Sequence, residues 1–224
     1  MYEKLKTKAL FLDTDRTIAW DYLSQFEYPW QALDTLGDYI RALGKTLSEE
    51  EYDNPCEGVY IARDAKVAPT AYIGAPTIIC QGAEIRHGAY IRGGAIVGRG
   101  AVVGNSVELK NAILFDGVQV PHFNYVGDSI LGYKSHMGAG AVTSNVKSDK
   151  SEVSIRYGNE RVMSGRRKFG AILADYVEVG CNSVLNPGTI IGTHSNVYPL
   201  SSVRGYIEAY HIFKSPTEIV EKCK

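Results

Sequence analysis

An all-β fold, a parallel β-helix wound from six-residue repeats, is what this sequence predicts, and three observations predict it. Aliphatic or aromatic residues recur at every sixth position without a slip: Ile61, Val67, Ile73, Ile79, Ile85, Ile91, Val97, Val103, Leu109 and Phe115. Small residues recur with the same period four places later, as at Ala65, Ala71, Ala83, Ala89, Ala95 and Ala101. A second run with the same spacing passes through Leu173, Val179, Leu185, Ile191, Val197 and Val203. A hexapeptide period marks a solenoid of short parallel strands, and neither a heptad nor a 3.6-residue spacing fits it. One large apolar and one small residue per repeat suit a three-sided coil, with the small residue where the chain turns.

Composition agrees. A chain of 224 residues can bury a sizeable core, and 23 glycines suit many corners. A formal charge of −1 gives no reason to expect nucleic acid or a membrane surface as partner. Four scattered cysteines without CxxC spacing indicate a reducing compartment. With no signal peptide or membrane-spanning run in the sequence, a cytoplasmic location is expected.

Residues 1–57 read as a helical cap or arm. Asp15 to Gln25 predicts a short helix with Asp15 as its cap, and Leu33, Leu36, Tyr39, Ile40 and Leu43 recur at helical spacing before Gly44. Ser48 and Glu51 have capping-box spacing. An open first coil needs cover against edge pairing, and this segment is expected to supply it. The stretch Ala9–Thr17 imitates the DxDxT motif of haloacid-dehalogenase phosphatases, with Asp13 as nucleophile and Asp15 as acid. Too few residues follow for the α/β domain that motif requires, so the phosphatase reading is set aside.

The solenoid, expected over residues 58–204, also makes a geometric prediction. Three repeats form one coil, so residues eighteen apart stack at the strand-pairing distance of about 4.8 Å. Arg92 and Lys110 are such a pair. Stacked like charges need an anion between them or good solvent screening. A bound phosphate and a solvated face both meet that need.

At Pro121 the ladder breaks, and the sequence VPHFNYVGDSILGYKSHMGAGAVTSNVK runs from Val120 to Lys147. A VExK stretch, HxxYxGD, an Ile/Leu-Gly pair, GAG and an Asn follow one another. In these motifs, and over roughly residues 61–216, the chain resembles the acetyltransferase half of the bacterial bifunctional UDP-N-acetylglucosamine pyrophosphorylase/glucosamine-1-phosphate N-acetyltransferase. It is also similar to the matching region of archaeal sugar-1-phosphate nucleotidylyltransferases. The resemblance implies a left-handed parallel β-helix, a homotrimer with sites between subunits, acetyl-CoA as co-substrate and no required metal.

It further implies His122 as general base, Tyr125 as a substrate contact and Arg92 with Lys110 as ligands of a sugar phosphate. Ala139 takes the position whose backbone amide faces the acetyl thioester, and Asn145 that of a substrate-binding asparagine. The pattern departs where the family has Asn at His136, Tyr at Val146, Ser at Cys181, Ala at Pro199 and Arg at Lys214. His136 is therefore expected among the substrate contacts, and Cys181, Pro199 and Lys214 among those of the coenzyme. An alternative for His122 is that it only fills a corner after Pro121. The bifunctional relatives carry a nucleotidyltransferase domain with a Gly-rich phosphate loop. Residues 1–57 do not resemble it, so no nucleotidyl transfer is expected from this chain alone.

Between residues 144 and 170 the period is lost. Glu152–Met163 predicts a hairpin around Gly158-Asn159, amid Lys147, Lys150, Arg156, Arg161, Arg166, Arg167 and Lys168. These cations would suit the phosphates of coenzyme A or a nucleotide sugar; a solvated loop is the other reading. In the tail, residues 205–224, Ser215-Pro216-Thr217-Glu218 predicts a short C-terminal helix.

Three function classes follow. The first is an acyl-CoA-dependent N-acyltransferase acting on an amino sugar phosphate or nucleotide-linked amino sugar. The second is a non-catalytic solenoid used for assembly or regulation. The third is a γ-type carbonic anhydrase, which needs a close pair of zinc-binding histidines; His87, His122, His136, His194 and His211 are too scattered for it.

Overall fold

The protein is described by a computed structural model covering residues 2–223. From Val59 onward the chain winds as a three-sided coil, each turn adding one short strand to each of three columns. The first column includes Tyr90–Ile91, the second Ala95–Val97 and the third Val102–Asn105. Strands within a column pair in parallel with the coils before and after them. From Ile79 on, every ladder residue named above is buried, because each repeat offers the same inward socket between coils. Ile61, Val67 and Ile73, in the first coil, are only half-buried.

The period first changes after Ile91. Tyr90 pairs with Glu108, but Ala95 pairs with Ala112, one residue nearer in sequence. The cause lies at the corner, where Asn111 alone, at φ 49°, replaces the Gly93–Gly94 pair of the preceding coil. Asp128 turns the same corner one coil on, at φ 48°. What looks like a break at Pro121 is this shortening: the coil itself continues, with Val120 and Val126 fully buried. Gln119–His122 pairs with Val102–Asn105 directly. Gly104 permits the stacking, since a Cβ there would lie 1.6 Å from the Pro121 carbonyl oxygen.

Residues 2–57 lie mostly along the side of the coil. Only their last strand, Tyr52–Cys56, covers an edge, pairing antiparallel with Val59–Ala62. The remainder is a strap laid lengthwise along the coil. Near the C-terminal coils, Lys4 pairs with Glu208, and the Asp175 carboxylate accepts the N–H groups of Leu12 and Asp13. Midway, Phe11 stacks on Phe115 and Trp30 packs on Phe169. At the other end, the helix Leu36–Gly44 sets Leu36 and Ile40 against Thr77–Ile79 and Ala95–Val97.

Three local expectations are corrected. The helix predicted over Asp15 to Gln25 shrinks to Trp20–Leu23, and Asp15 caps nothing; its carboxylate faces Arg16 at 3.6 Å. Ser48 opens a hydrogen-bonded turn that leads into a strand, not a helix. The C-terminal helix is absent: His211–Ser215 and Glu218–Glu221 form a hairpin, with Pro216 and Thr217 in its turn. The strand His211–Ser215 offers an open edge, and Ile219 and Val220 suit pairing with Phe213 and Ile212 better than a helical turn. The inserted segment does hold the expected hairpin, Ser154–Tyr157 with Glu160–Met163.

Candidate active site

The chain turns from the third column to the first at Phe123, whose φ is 53°. That corner, rather than any rupture of the coil, leaves His122 exposed. Corner residues of successive coils hold each other through backbone hydrogen bonds. Gly140 N–H donates to His122 O at 3.0 Å, Asn182 N–H to Ala139 O at 2.8 Å, and Leu200 N–H to Cys181 O at 2.9 Å. His122, Ala139, Cys181 and Pro199 thus form one line along an edge of the prism, coil upon coil. Lys214 follows in the next coil, where it pairs with Glu218 at 2.6 Å.

Two features distinguish this edge. The Ala139 N–H makes no hydrogen bond among the described residues, although its neighbours Gly138 and Gly140 are both bonded. Asn124, buried beneath the corner, fixes the spacing between His122 and the Gly138–Ala139–Gly140 turn. Its Nδ2 donates to the carbonyls of Gly138 and Ala141 at 2.8 and 3.0 Å, and its Oδ1 accepts the His122 N–H at 3.1 Å.

The adjoining face carries the polar set. Register places Tyr90, Glu108 and Tyr125 on consecutive coils, and brings Lys110 next to Arg92 as the repeat predicts. The repulsion is met inside the protein. Arg92 pairs with Glu108 at 2.8 Å, and Lys110 with Asp128 at 3.3 Å. Asp128 is a hub, buried, and also accepts hydrogen bonds from Asn111 at 2.8 Å and Asn145 at 2.5 Å. The anion that stacked cations require is therefore supplied at least in part by these two carboxylates.

Tyr125 lies beside them. Burial, with the Asp128 and Glu108 carboxylates nearby, raises its hydroxyl above the usual tyrosine value. The phenol accordingly stays a neutral hydrogen-bond donor at neutral pH. His136 stands apart from this group. It lies on the third column, where its Nδ1 contacts Glu178 at 2.7 Å, so within one chain it is not brought to Tyr125 or Asn145.

Asp128 and Asn124 escaped the sequence analysis. Asp128 had a signal, as the last residue of HxxYxGD. Asn124 had none, since the carbonyls it bonds, those of Gly138 and Ala141, lie across a coil boundary. Among the described residues, no group of three or more His, Cys, Asp or Glu side chains is arranged to hold a metal ion. No helix among the described residues is long and apolar enough to cross a membrane.

Residues 75–199 match the family model described as the GMPPB C-terminal domain. The chain is similar to a bifunctional sugar-1-phosphate nucleotidylyltransferase/acetyltransferase of Sulfurisphaera tokodaii, at 32% identity over 81% of this chain and 43% of that protein. It is similar to the bifunctional protein GlmU of Methanococcus aeolicus at 34% identity, over 52% of this chain and 28% of that one. The chain thus spans less than half the length of these curated relatives. Among solved structures, the acetyltransferase domain of PglB from Neisseria gonorrhoeae, in complex with acetyl coenzyme A, matches at 16% identity and a TM-score of 0.34. That match covers 73% of this chain and 57% of the other.

Proposed function

The chain belongs to the GMPPB C-terminal domain family, and from that premise we propose that it is an acyl-coenzyme A-dependent N-acetyltransferase acting on an amino sugar phosphate or nucleotide-linked amino sugar. One observation carries the reading: an exposed imidazole at His122 stands one coil from the unbonded amide of Ala139, with Asn124 holding the two at a set spacing.

The amine of the acceptor attacks the thioester carbonyl carbon, forming a C–N bond. Ala139 N–H donates to the oxyanion that develops, and its small side chain lets the thioester approach. His122 takes the proton that the attacking nitrogen loses, a task for which an imidazole is suited near neutral pH. As the tetrahedral intermediate collapses, the C–S bond breaks. The imidazolium returns its proton to the leaving thiolate, so the products are an amide and free coenzyme A thiol. Tyr125 orients the acceptor by donating a hydrogen bond, and Arg92 and Lys110 hold its phosphate beside their own carboxylates. Cys181, Pro199 and Lys214 continue the same edge and line the coenzyme. A homotrimer, with a neighbouring subunit closing the cleft, completes the proposal. The acyl-transfer part of the reading is supported by the Sulfurisphaera tokodaii relative, which is named in part as an acetyltransferase.

The test is thiol release from acetyl-CoA across a panel of amino sugar phosphates, glucosamine-1-phosphate included. His122→Ala should lower kcat by about 10²–10⁴, the usual contribution of a general base, with little change in acetyl-CoA affinity. Turnover like that of the unmodified chain in this variant would sink the mechanism.

A further inference from the structure

We propose that the cleft between the inserted hairpin and the coil at Arg204 binds the phosphates of a diphosphate-bearing ligand. This cleft is separate from the edge at His122. Its volume is about 510 Å³, and Lys147, Arg156, Arg161 and Arg204 line it with a single carboxylate, Glu160. Even with Asp149 3.9 Å from Lys147, four lining cations are a local excess in a chain whose formal charge is −1. Sites for ligands of nucleotide size run from about 300 to 1,000 Å³, so the space exceeds what a lone phosphate fills.

The arrangement sets like charges side by side with no fixed counterion between them among the described residues. Arg156 and Arg161 pair directly across the hairpin, one step from its turn, where like charges are unfavourable. Among the described residues, none of Arg156, Arg161 and Arg204 has a carboxylate within 4.0 Å, unlike Arg166, which pairs with Asp34. Glu160 is turned toward the strap, where it accepts the Tyr2 hydroxyl at 2.8 Å. The stacked cations Arg92 and Lys110 each own a carboxylate; the hairpin arginines do not.

The hairpin backbone that carries Arg156 and Arg161 is held in place before any ligand arrives. Ile155 and Val162 bury the opposite face of the hairpin, which fixes the side on which the arginines point. Gly205 allows the docking, since a Cβ there would lie 2.5 Å from the Arg156 carbonyl oxygen. Arg204 donates to Asn186 Oδ1 at 2.9 Å, and Lys147 Nζ donates to Ser151 Oγ at 2.6 Å. A guanidinium held as Arg204 is loses little freedom on binding, and each of the three arginines matches phosphate oxygens in paired hydrogen bonds. Of the seven basic residues of the insertion, the structure selects Lys147, Arg156 and Arg161 and adds Arg204 from the coil.

The same diphosphate chemistry occurs in coenzyme A, in a nucleotide-linked sugar and in inorganic pyrophosphate. Calorimetric titration of the full chain with pyrophosphate tests the site. Binding should weaken at least about tenfold for each arginine lost in an Arg156→Gln/Arg161→Gln variant, and fall steeply with salt. An Arg156→Lys/Arg161→Lys variant should recover part of it, with the far-UV spectrum unchanged in both. Competition by coenzyme A or by UDP-N-acetylglucosamine then names the physiological source, and competition by neither assigns the free anion. His122→Ala should bind pyrophosphate like the unmodified chain, so this result is independent of acyl transfer. No pyrophosphate binding to the unmodified chain, or equal binding to the glutamine variant, overturns the proposal.

Discussion

Lys110 Nζ lies 3.3 Å from Asp128 Oδ2, and the carboxylate is nearly buried while the ammonium is not. That asymmetry separates two cations that sequence alone treats as equals. Lys110→Ala should raise KM for a phosphorylated acceptor more than it lowers kcat, since the phosphate takes no part in bond making. It should also destabilise the fold by roughly 1–3 kcal/mol, because Asp128 loses a charged donor. Arg92→Ala should show the same kinetic pattern with little loss of stability, its partner Glu108 being more exposed. Unchanged kinetics in both variants would return the pair to a solvated face. A melting curve for each separates the two roles.

Asn124 offers a sharper case. Asn124→Ala strands the His122 N–H and the Ala141 carbonyl and leaves the Gly138 carbonyl with the Ala141 N–H alone, a loss of roughly 2–3 kcal/mol at about 1 kcal/mol or more for each stranded group. Asn124→Asp should be worse, since a carboxylate oxygen would face the Gly138 and Ala141 carbonyls. Both variants should lower kcat while leaving the shape of the pH–rate profile intact, because the side chain touches backbone and not the imidazole. A shifted profile would contradict that assignment.

Asp175 makes stability depend on pH. Its carboxylate is buried and accepts N–H groups from Leu12, Asp13 and Tyr133. Burial dominates those donors and holds its pKa above the ordinary value. A raised folded-state pKa favours the protonated form. Its stabilisation is therefore full below the unfolded value near 4 and is lost as pH rises through the folded value. Asp175→Asn cannot ionise, so its stability deficit against the unmodified chain should narrow as pH rises from about 4 to 7. Thermal melts at both ends of that window decide it; a deficit that stays constant or widens would refute the sign.

Cys181 is exposed on the proposed coenzyme edge. Alkylation with a bulky maleimide should therefore block acetyl transfer, and acetyl-CoA should protect against it. Cys181→Ser should stay active and resist the reagent even though Cys56 and Cys223 are also exposed. Full activity after complete labelling of Cys181 would remove the residue from the coenzyme's path.

Assembly is testable without any ligand. Closed cyclic symmetry is the usual form of soluble homo-oligomers, and a three-sided prism presents flat faces for it. Light scattering should give about three times the chain mass of 24.6 kDa. A monomer at micromolar concentration would take the shared cleft out of the mechanism.

Much of this protein is determined by short-range pattern. The hexapeptide period made the coil legible, along with the buried ladder from Ile79 to Val203, because every repeat solves the same packing problem with its immediate neighbours. The same regularity placed Lys110 over Arg92, and the Gly158-Asn159 turn announced the hairpin. The tertiary structure decided what meets over long separations. It put Asp34 against Arg166 and Asp175 under Leu12, turning an expected cap into a strap. It dropped one residue at Asn111, gave Asp128 three partners and paired the tail into a hairpin over its own open edge. A local period records which side chains point inward. Which polar group a buried carboxylate answers to depends on coils that come together only when the chain is wound.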